Sequence, residues 1–497
     1  RKQIANSLEE QGYVVEKKDA PHNFPTCSRC KNDVEFLSMP EYYLKQVEYV
    51  PTLKEYANKM TFFPDYMIQV WLDWLNTVSI DWPISRRRYY GTEVPVWYCN
   101  SCRHPNLPEP GPYYQPWKDE PPFDTCEKCG SSEGFEGDIR TFDTWIDSSI
   151  SEIYITLHPH NKRDDDLFKE LNGREYLCDM RPQGKDIVRT WLHYTMLRGL
   201  LLYNKPAFKH AWISGHVVDR KGEKMSKSKG TATYPEDMVE KYGGDALRLY
   251  GAIEASHGSD IRFHEQRLQG ISKFINKFYN VARFVSRFPF VTKEEIKLQP
   301  ADEWILSELK RAHIESIAGY EIFDFQIPSK IFRNFTWEIF ASHYIELVKG
   351  RAYNRNQDYT EKEQKAAWYT LHKVLIEITK AFAPLIPFVT DFIYRGLYEK
   401  TIHIESLSKP DEIDVDEKYR ELTPILLELN SAIWKHKKNQ KLPLNTRIKR
   451  AYLPKNFSPF ARDLSSMHLI DELVEDKEDL KEAHKIELKD SLFLIEL

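Results

Sequence analysis

Apolar residues recur at helical spacing through the middle of the chain, in "ISKFINKFYNVARFVSRF", "FRNFTWEIFASHYIELVKGRA" and "LHKVLIEITKAFAPLIPFVTDFIYRGLY". Each stretch carries one apolar stripe, which predicts long amphipathic helices packed as a bundle. Further upstream the pattern alternates. A short apolar run, "EYLCDM", precedes a helical pattern, "DIVRTWLHYTMLRGLLLY", and a second short run, "FKHAWISG", follows it. Strand, helix, strand predicts an open parallel sheet, which binds ligands outside the carboxyl ends of its strands. "RKQIANSLEEQGY" and "PDYMIQVWLDWLNTV" predict two more helices. From Cys99 to about Arg140 the chain is rich in Pro, Gly, Cys and acidic residues. With few periodic apolar positions, that stretch predicts an inserted knob without a core. After the acidic "SKPDEIDVDEK", roughly the last eighty residues predict a small α/β unit. Its charge run, "EDKEDLKEAHK", fits a solvated helix face.

The length of 497 residues exceeds what one hydrophobic core serves, so three or four units are expected. Hydrophobic residues at 41% and charged residues at 29% exclude a disordered chain. The formal net charge of -5 excludes a global basic signal, so any polyanion must meet a local patch. The first residues are polar, and no apolar run approaches a membrane span. Six of the seven cysteines stand in C-x-x-C pairs. That usage points to metal rather than disulfides, and so to a reducing cytoplasm.

Cys99/Cys102 and Cys126/Cys129 form C-x2-C…C-x2-C within the knob, the spacing of a closed, structural tetrathiolate zinc site. Cys27/Cys30 has no partner pair left, and is either a plain loop or half of another zinc site. Cys178 falls on a predicted strand, where a buried inert thiol is expected. The remaining chemistry lies in "GEKMSKSKG", Gly222 to Gly230. Lysine ammoniums on flexible stems can follow phosphate oxygens, glycines let the loop swing, and Ser226 and Ser228 can donate to phosphate. After a strand of a nucleotide-binding sheet, such a loop suits charge stabilisation during transfer at a phosphate.

"KMSKS", Lys224 to Ser228, resembles a defining motif of the class I aminoacyl-tRNA synthetases. "DWPISRRRYYGTEVPVWYC", "DTWIDSS", "YPEDMVEKYGGDALRLYGA", "FINKFYNVARFV" and "LIPFVTDFIY" resemble further segments of that family in the same order. "RPQGKDIVRTW" is similar to the valine-specific branch in its archaeal form, although Lys185 stands where related sequences often have His. "RRRYYG" likewise departs from the family's R-Q-R-x-W-G.

The resemblance implies an α/β plus all-α chain. It would comprise the second half of a Rossmann-type catalytic domain with a zinc-knuckle insertion, a helical anticodon-binding bundle and a small C-terminal α/β unit. The implied boundaries are 1–97, 98–140, 141–265, 266–410 and 411–497. Valine, ATP with Mg2+, and the anticodon arm and acceptor end of tRNA are the implied ligands, with structural Zn2+ and a monomeric protein without a membrane partner. Lys224 and above all Lys227 would stabilise the transferring phosphate. Gly184 and Asp186 would face the ribose, and Gly215, His216 and Val217 would lie under the adenine through backbone groups. Met225, Ser226, Lys227 and Ser228 would complete the ATP site. Ile187 and Trp191, with Trp145, would wall the amino-acid pocket.

The family's second motif, H-x-G-H, has no match; "HPHN", His158 to Asn161, lacks its glycine. That implies the carboxyl-terminal portion of a longer synthetase, starting after the editing domain and inactive in adenylation alone. The missing part would hold the partner pair of Cys27/Cys30. An isoleucine-specific enzyme and a tRNA-binding protein without adenylation remain alternatives.

Overall fold

The computed structural model describes residues 2–18, 23–27, 30–34, 37–157, 173–225, 233–480, 484–488 and 491–496. The chain divides into two compact units, residues 1–48 with 79–147 and residues 49–78 with 148–497. Among the described residues, no helix is long and apolar enough to cross a membrane.

In the second unit, β1 (Thr61–Phe63), β2 (Cys178–Gly184) and β3 (Phe208–Ser214) form a parallel sheet in the order β1-β3-β2. Phe208, Ala211 and Ile213 are fully buried, as a central strand covered on both faces requires. Trp212 pairs with Phe63 on one side and Pro182 on the other, while Ser214 pairs with Gly184. The run read as "EYLCDM" begins its strand at Cys178 and continues to Gly184, taking in buried Arg181 and Gln183. Burial pushes the Cys178 thiol up to about 11, which keeps it protonated.

Between β2 and β3 the single expected helix is three pieces. A 3-10 turn (Lys185–Ile187) leads into a π-helical turn (Val188–Leu192) and then α1 (His193–Tyr203). Apolar spacing cannot separate these, because a wider turn still keeps its apolar side chains on the buried side.

The bundle includes α2 (Glu265–Val285), α3 (Pro300–Glu321), α4 (Glu361–Phe382) and α5 (Pro387–Tyr398). The stretch beginning "LHKVLIE" is thus two helices, broken before Pro387, which stands at the first turn of α5. Arg248 donates to the carbonyls of Pro384 and Leu385, and Asp245 accepts from the N–H groups of Phe388 and Val389. Both orphaned helix ends at the break are satisfied from one short segment. The stretch beginning "FRNFTWE" is helical throughout, with π-helical turns at Phe335–Tyr344.

One continuous apolar core runs from Ala246 through the bundle to Ile495 in the terminal unit. That unit has a four-stranded sheet in the order Ile470–Val474, Ile448–Tyr452, Ser491–Glu496, His484–Leu488. The charge run is not a helix face. It forms a 3-10 turn at Lys477–Leu480 and then the strand from His484, which pairs antiparallel with Ser491–Glu496. With no apolar stripe of its own, the run follows the strand that pairs with it.

Asn430 joins two buried histidines across this unit, its Nδ2 3.3 Å from His343 Nδ1 and its Oδ1 2.9 Å from His468 Nε2. Burial lowers His343 to about 4 and His468 to about 3. A histidine lowered in the folded state contributes stability present above its unfolded pKa of about 6.5, and lost as pH falls toward the folded value. The free energy of urea unfolding is therefore expected to fall between about pH 6.5 and 4.5, with a slope about 1.4 kcal/mol per pH unit smaller in His468→Gln. Equal pH slopes for the two proteins would exclude a neutral His468.

Candidate active site

The candidate residues gather at the carboxyl ends of β2 and β3. Gly184, Asp186 and Ile187 end or follow β2, while Gly215, His216 and Val217 follow β3. The pairing of Ser214 with Gly184 brings the two turns level. Gly215 is required by close approach, since a Cβ there would lie 1.9 Å from the Ser259 carbonyl oxygen. Asp260 Oδ1 accepts from the His216 N–H (2.8 Å) and from Lys185 Nζ (2.7 Å). Those two donors, Lys185 first, hold the Asp260 carboxyl below its usual range. His216 Nε2 lies 3.9 Å from Asp186 Oδ2, so it is the His216 backbone that is anchored.

Val217–Val218 pairs in parallel with Ile261–Arg262, and Val218 forms a bridge to Lys224. The intervening turn is stapled by Asp219, whose Oδ1 accepts from the N–H groups of Lys221 and Glu223, both at 2.9 Å. Gly222 closes it at φ +85°, a conformation that favours glycine. Lys224 emerges exposed and Met225 half-buried. Ser226, Lys227 and Ser228 lie outside the described residues, as does "HPHN" at His158 to Asn161.

Trp145 belongs to the first unit, on a short helix (Thr144–Ser148), where its N–H donates to Asp143 Oδ1 at 3.2 Å. Ile187 and Trp191 belong to the second unit, in the 3-10 and π-helical turns before α1. Trp191 is half-buried, and its Nε1 donates to the Ser148 carbonyl at 2.8 Å. The Arg181 guanidinium lies 3.8 Å from the centre of the Trp191 ring. Arg181, Asp260, Asp245 and Arg248 were not singled out from the sequence. Asp245 and Arg248 lie within "YPEDMVEKYGGDALRLYGA" and Arg181 opens "RPQGKDIVRTW", while Asp260 carries no local pattern that would mark it.

In the first unit the Sγ atoms of Cys99, Cys102, Cys126 and Cys129 all lie within 4.8 Å of one another. Cys99–Cys129 and Cys102–Cys126 are each 3.7 Å apart. A tetrahedron with metal–sulfur bonds of about 2.3 Å has edges of about 3.8 Å. Burial opposes the Cys126 thiolate, but the N–H groups of Cys129 and Lys128 together with the Cys129 and Cys102 thiols outweigh it and hold the thiol at about 6. The knob is not coreless. Trp97, 1% exposed, meets Tyr114 and Phe123 edge-on, and Phe123 meets Phe135.

Both cysteine turns share one construction. Cys99 N–H donates to His104 O and Arg103 N–H to Cys99 O; Cys126 N–H donates to Ser131 O and Gly130 N–H to Cys126 O. Cys27 repeats it, with Cys27 N–H to Asn32 O (2.8 Å) and Lys31 N–H to Cys27 O (2.9 Å). The residue after the second cysteine has positive φ in all three, at Arg103, Gly130 and Lys31. Among the described residues, no second cysteine pair joins Cys27 and Cys30.

Comparison with known proteins agrees with this architecture. Residues 9–264 match the family model "tRNA synthetases class I (I, L, M and V)" and residues 302–454 match "Anticodon-binding domain of tRNA ligase". A valine–tRNA ligase of Aeropyrum pernix is 40% identical over 477 residues, 94% of this chain and 57% of that protein. One from Nanoarchaeum equitans is 35% identical, over 95% of this chain and 60% of its own length. The chain thus spans a little under three-fifths of the first of these relatives and three-fifths of the second. Two solved structures share the fold. The Agrobacterium radiobacter K84 agnB2 LeuRS, in a ternary complex with tRNA and LeuAMS, superposes with a TM-score of 0.52 at 20% identity, over 68% of this chain and 43% of that one. The Mycobacterium tuberculosis methionyl-tRNA synthetase with methionyl-adenylate gives 0.51 at 14%, over 74% and 65%. The chain belongs to the class I tRNA synthetases of the I, L, M and V group.

Proposed function

We propose that this chain serves the ligation of valine to its tRNA, carrying the lysine-loop half of the adenylation site and the anticodon-binding part. The observation that carries this reading is the gathering of both strand-end turns and the root of the lysine loop at one end of a parallel sheet, in a chain 40% identical to a valine–tRNA ligase. In the first step a valine carboxylate oxygen forms a bond to the α-phosphorus of ATP, and the bond to the pyrophosphate leaving group breaks. In the second, a hydroxyl of the terminal adenosine takes the valyl group and AMP departs.

In this scheme the backbone at Gly215, His216 and Val217 lies under the adenine, braced by Asp260. Gly184 and Asp186 face the ribose, and Met225, Ser226 and Ser228 line the loop. Lys224 and Lys227 offset charge developing on the transferring phosphate, where Mg2+ accompanies ATP. Ile187 and Trp191 wall the valine pocket. Cys99, Cys102, Cys126 and Cys129 would hold Zn2+ as a structural clamp with no open position. The matching turn at Cys27 and Cys30 supports a second, half-built thiolate site. Lys273, Asn276, Asn280, Arg283 and Arg287 form an exposed stripe along α2 and just past its end, a local basic face suited to tRNA despite the net charge of -5. The same reading makes the protein a cytoplasmic monomer without a membrane partner, meeting the tRNA at its acceptor end as well.

The test is pyrophosphate exchange into ATP by the full-length protein. Valine-dependent exchange is expected, with isoleucine at least about tenfold poorer in kcat/KM. Better exchange with isoleucine would overturn the substrate. tRNA binding without any exchange would favour the binding-protein reading.

A further inference from the structure

We infer that Arg181 is the positioning residue for Trp191, setting how closely the pocket wall meets an aliphatic side chain; this rests on the proposed pocket role of Trp191. Arg181 sits on β2 and is 5% exposed. Its guanidinium lies between two rings, 3.8 Å from the centre of Trp191 and 5.3 Å from that of Phe208. The shorter distance is that of a plane stacked on an indole face, which a guanidinium can supply and an ammonium cannot.

The hydrogen bonds close a ring around the indole. Arg181 Nη2 donates to Ser151 Oγ and Glu152 Oε2, each at 2.8 Å, and Nη1 donates to Thr195 Oγ1 at 3.2 Å. Ser151 Oγ donates to the Ser148 carbonyl at 2.7 Å, the same oxygen that accepts from Trp191 Nε1. One cation thus fixes the ring's face and, through Ser151, the carbonyl that fixes its edge. Trp191 needs such support because it stands in the π-helical turn, out of α-helical register with α1.

The pair is poorly explained as a stability device. Arg181 and Glu152 have side chains 5% and 0% exposed, and well-packed apolar residues commonly serve as well as a buried ion pair. An apolar replacement of similar volume would fill the space but release Ser151 and the ring plane together.

The experiment is pyrophosphate-exchange kinetics on the full-length protein. The variants are Arg181→Lys and the double change Arg181→Met with Glu152→Gln, which leaves no unpaired buried charge. Valine KM is expected to rise about tenfold, with ATP KM unchanged and kcat within about twofold. The preference for valine over α-aminobutyrate, one methyl smaller, should narrow by a similar factor. Arg181→Lys should not restore valine KM, because it restores charge without the plane. An unchanged valine KM in the double variant, a parallel rise in both KM values, or full rescue by lysine would each overturn the inference. Absence of valine-dependent exchange in the unaltered protein would instead overturn the pocket reading on which it rests.

Discussion

A chain carrying Cys126→Ser is expected to retain less than about a tenth of the one zinc per chain expected in the unaltered protein. Two turns separated by more than twenty residues bring four sulfurs to tetrahedral spacing, with two edges of 3.7 Å. Serine keeps the size but not the thiolate, and three remaining sulfurs do not close the site. The apolar support of the knob is the ring cluster of Trp97, Tyr114, Phe123 and Phe135. Structural zinc contributes about 10–16 kcal/mol of apparent binding free energy at neutral pH, more than so small a cluster can replace. Amide hydrogen exchange over residues 97–137 should therefore accelerate in the variant, and in the unaltered chain after chelation. Unchanged protection after complete removal of metal would show that the rings suffice.

Arg351→Met should cost about 3–5 kcal/mol, a large fraction of the roughly 5–15 kcal/mol that holds a typical domain folded. The Arg351 side chain is 1% exposed and touches two carboxylates. Nη1 and Nη2 donate to the two oxygens of Asp302 at 2.9 and 2.8 Å, while Nε and Nη2 donate to Asp463 at 3.2 and 3.3 Å. Tyr344 donates to Asp302 Oδ1 at 2.7 Å, and Arg351 Nη1 also reaches the Glu363 carbonyl at 3.0 Å. The network ties α3 to the helices Ile345–Tyr353 and Ala461–His468. Methionine fills most of the space, so the cost reports two buried carboxylates left without a cation. Adding Asp302→Asn and Asp463→Asn should recover much of it. Denaturant midpoints measure both; a triple variant no more stable than Arg351→Met would assign the loss to packing instead.

Three kinds of information were legible in the chain before any coordinate. The C-x-x-C spacings named the six cysteines, because a thiolate pair on a tight turn is a local property of a few residues. Strand, helix, strand placed the parallel sheet, and apolar stripes placed α2, the helical stretch through Phe335–Tyr344 and α4. Motif order indicated the family that residues 9–264 then matched. All of these lie within windows short enough for spacing to carry the information.

What stayed hidden was decided over long separations or by competition between similar turns. The Trp191 ring meets the Arg181 guanidinium on β2 and the carbonyl of Ser148. The His216 backbone is braced by Asp260, and the break between α4 and α5 is capped by Asp245 and Arg248, over 130 residues away. The π-helical turn at Val188–Leu192 shares its apolar spacing with an α-helix, so only packing separates the two. The charge run gave a 3-10 turn at Lys477–Leu480 and, from His484, a strand paired with Ser491–Glu496. By itself the sequence determined the family, most of the elements and the candidate reactive groups, since each is written in neighbouring residues. Only the tertiary structure decided which buried partners hold those groups in place, because hydrogen bonds and stacked rings join residues that proximity in the chain does not connect.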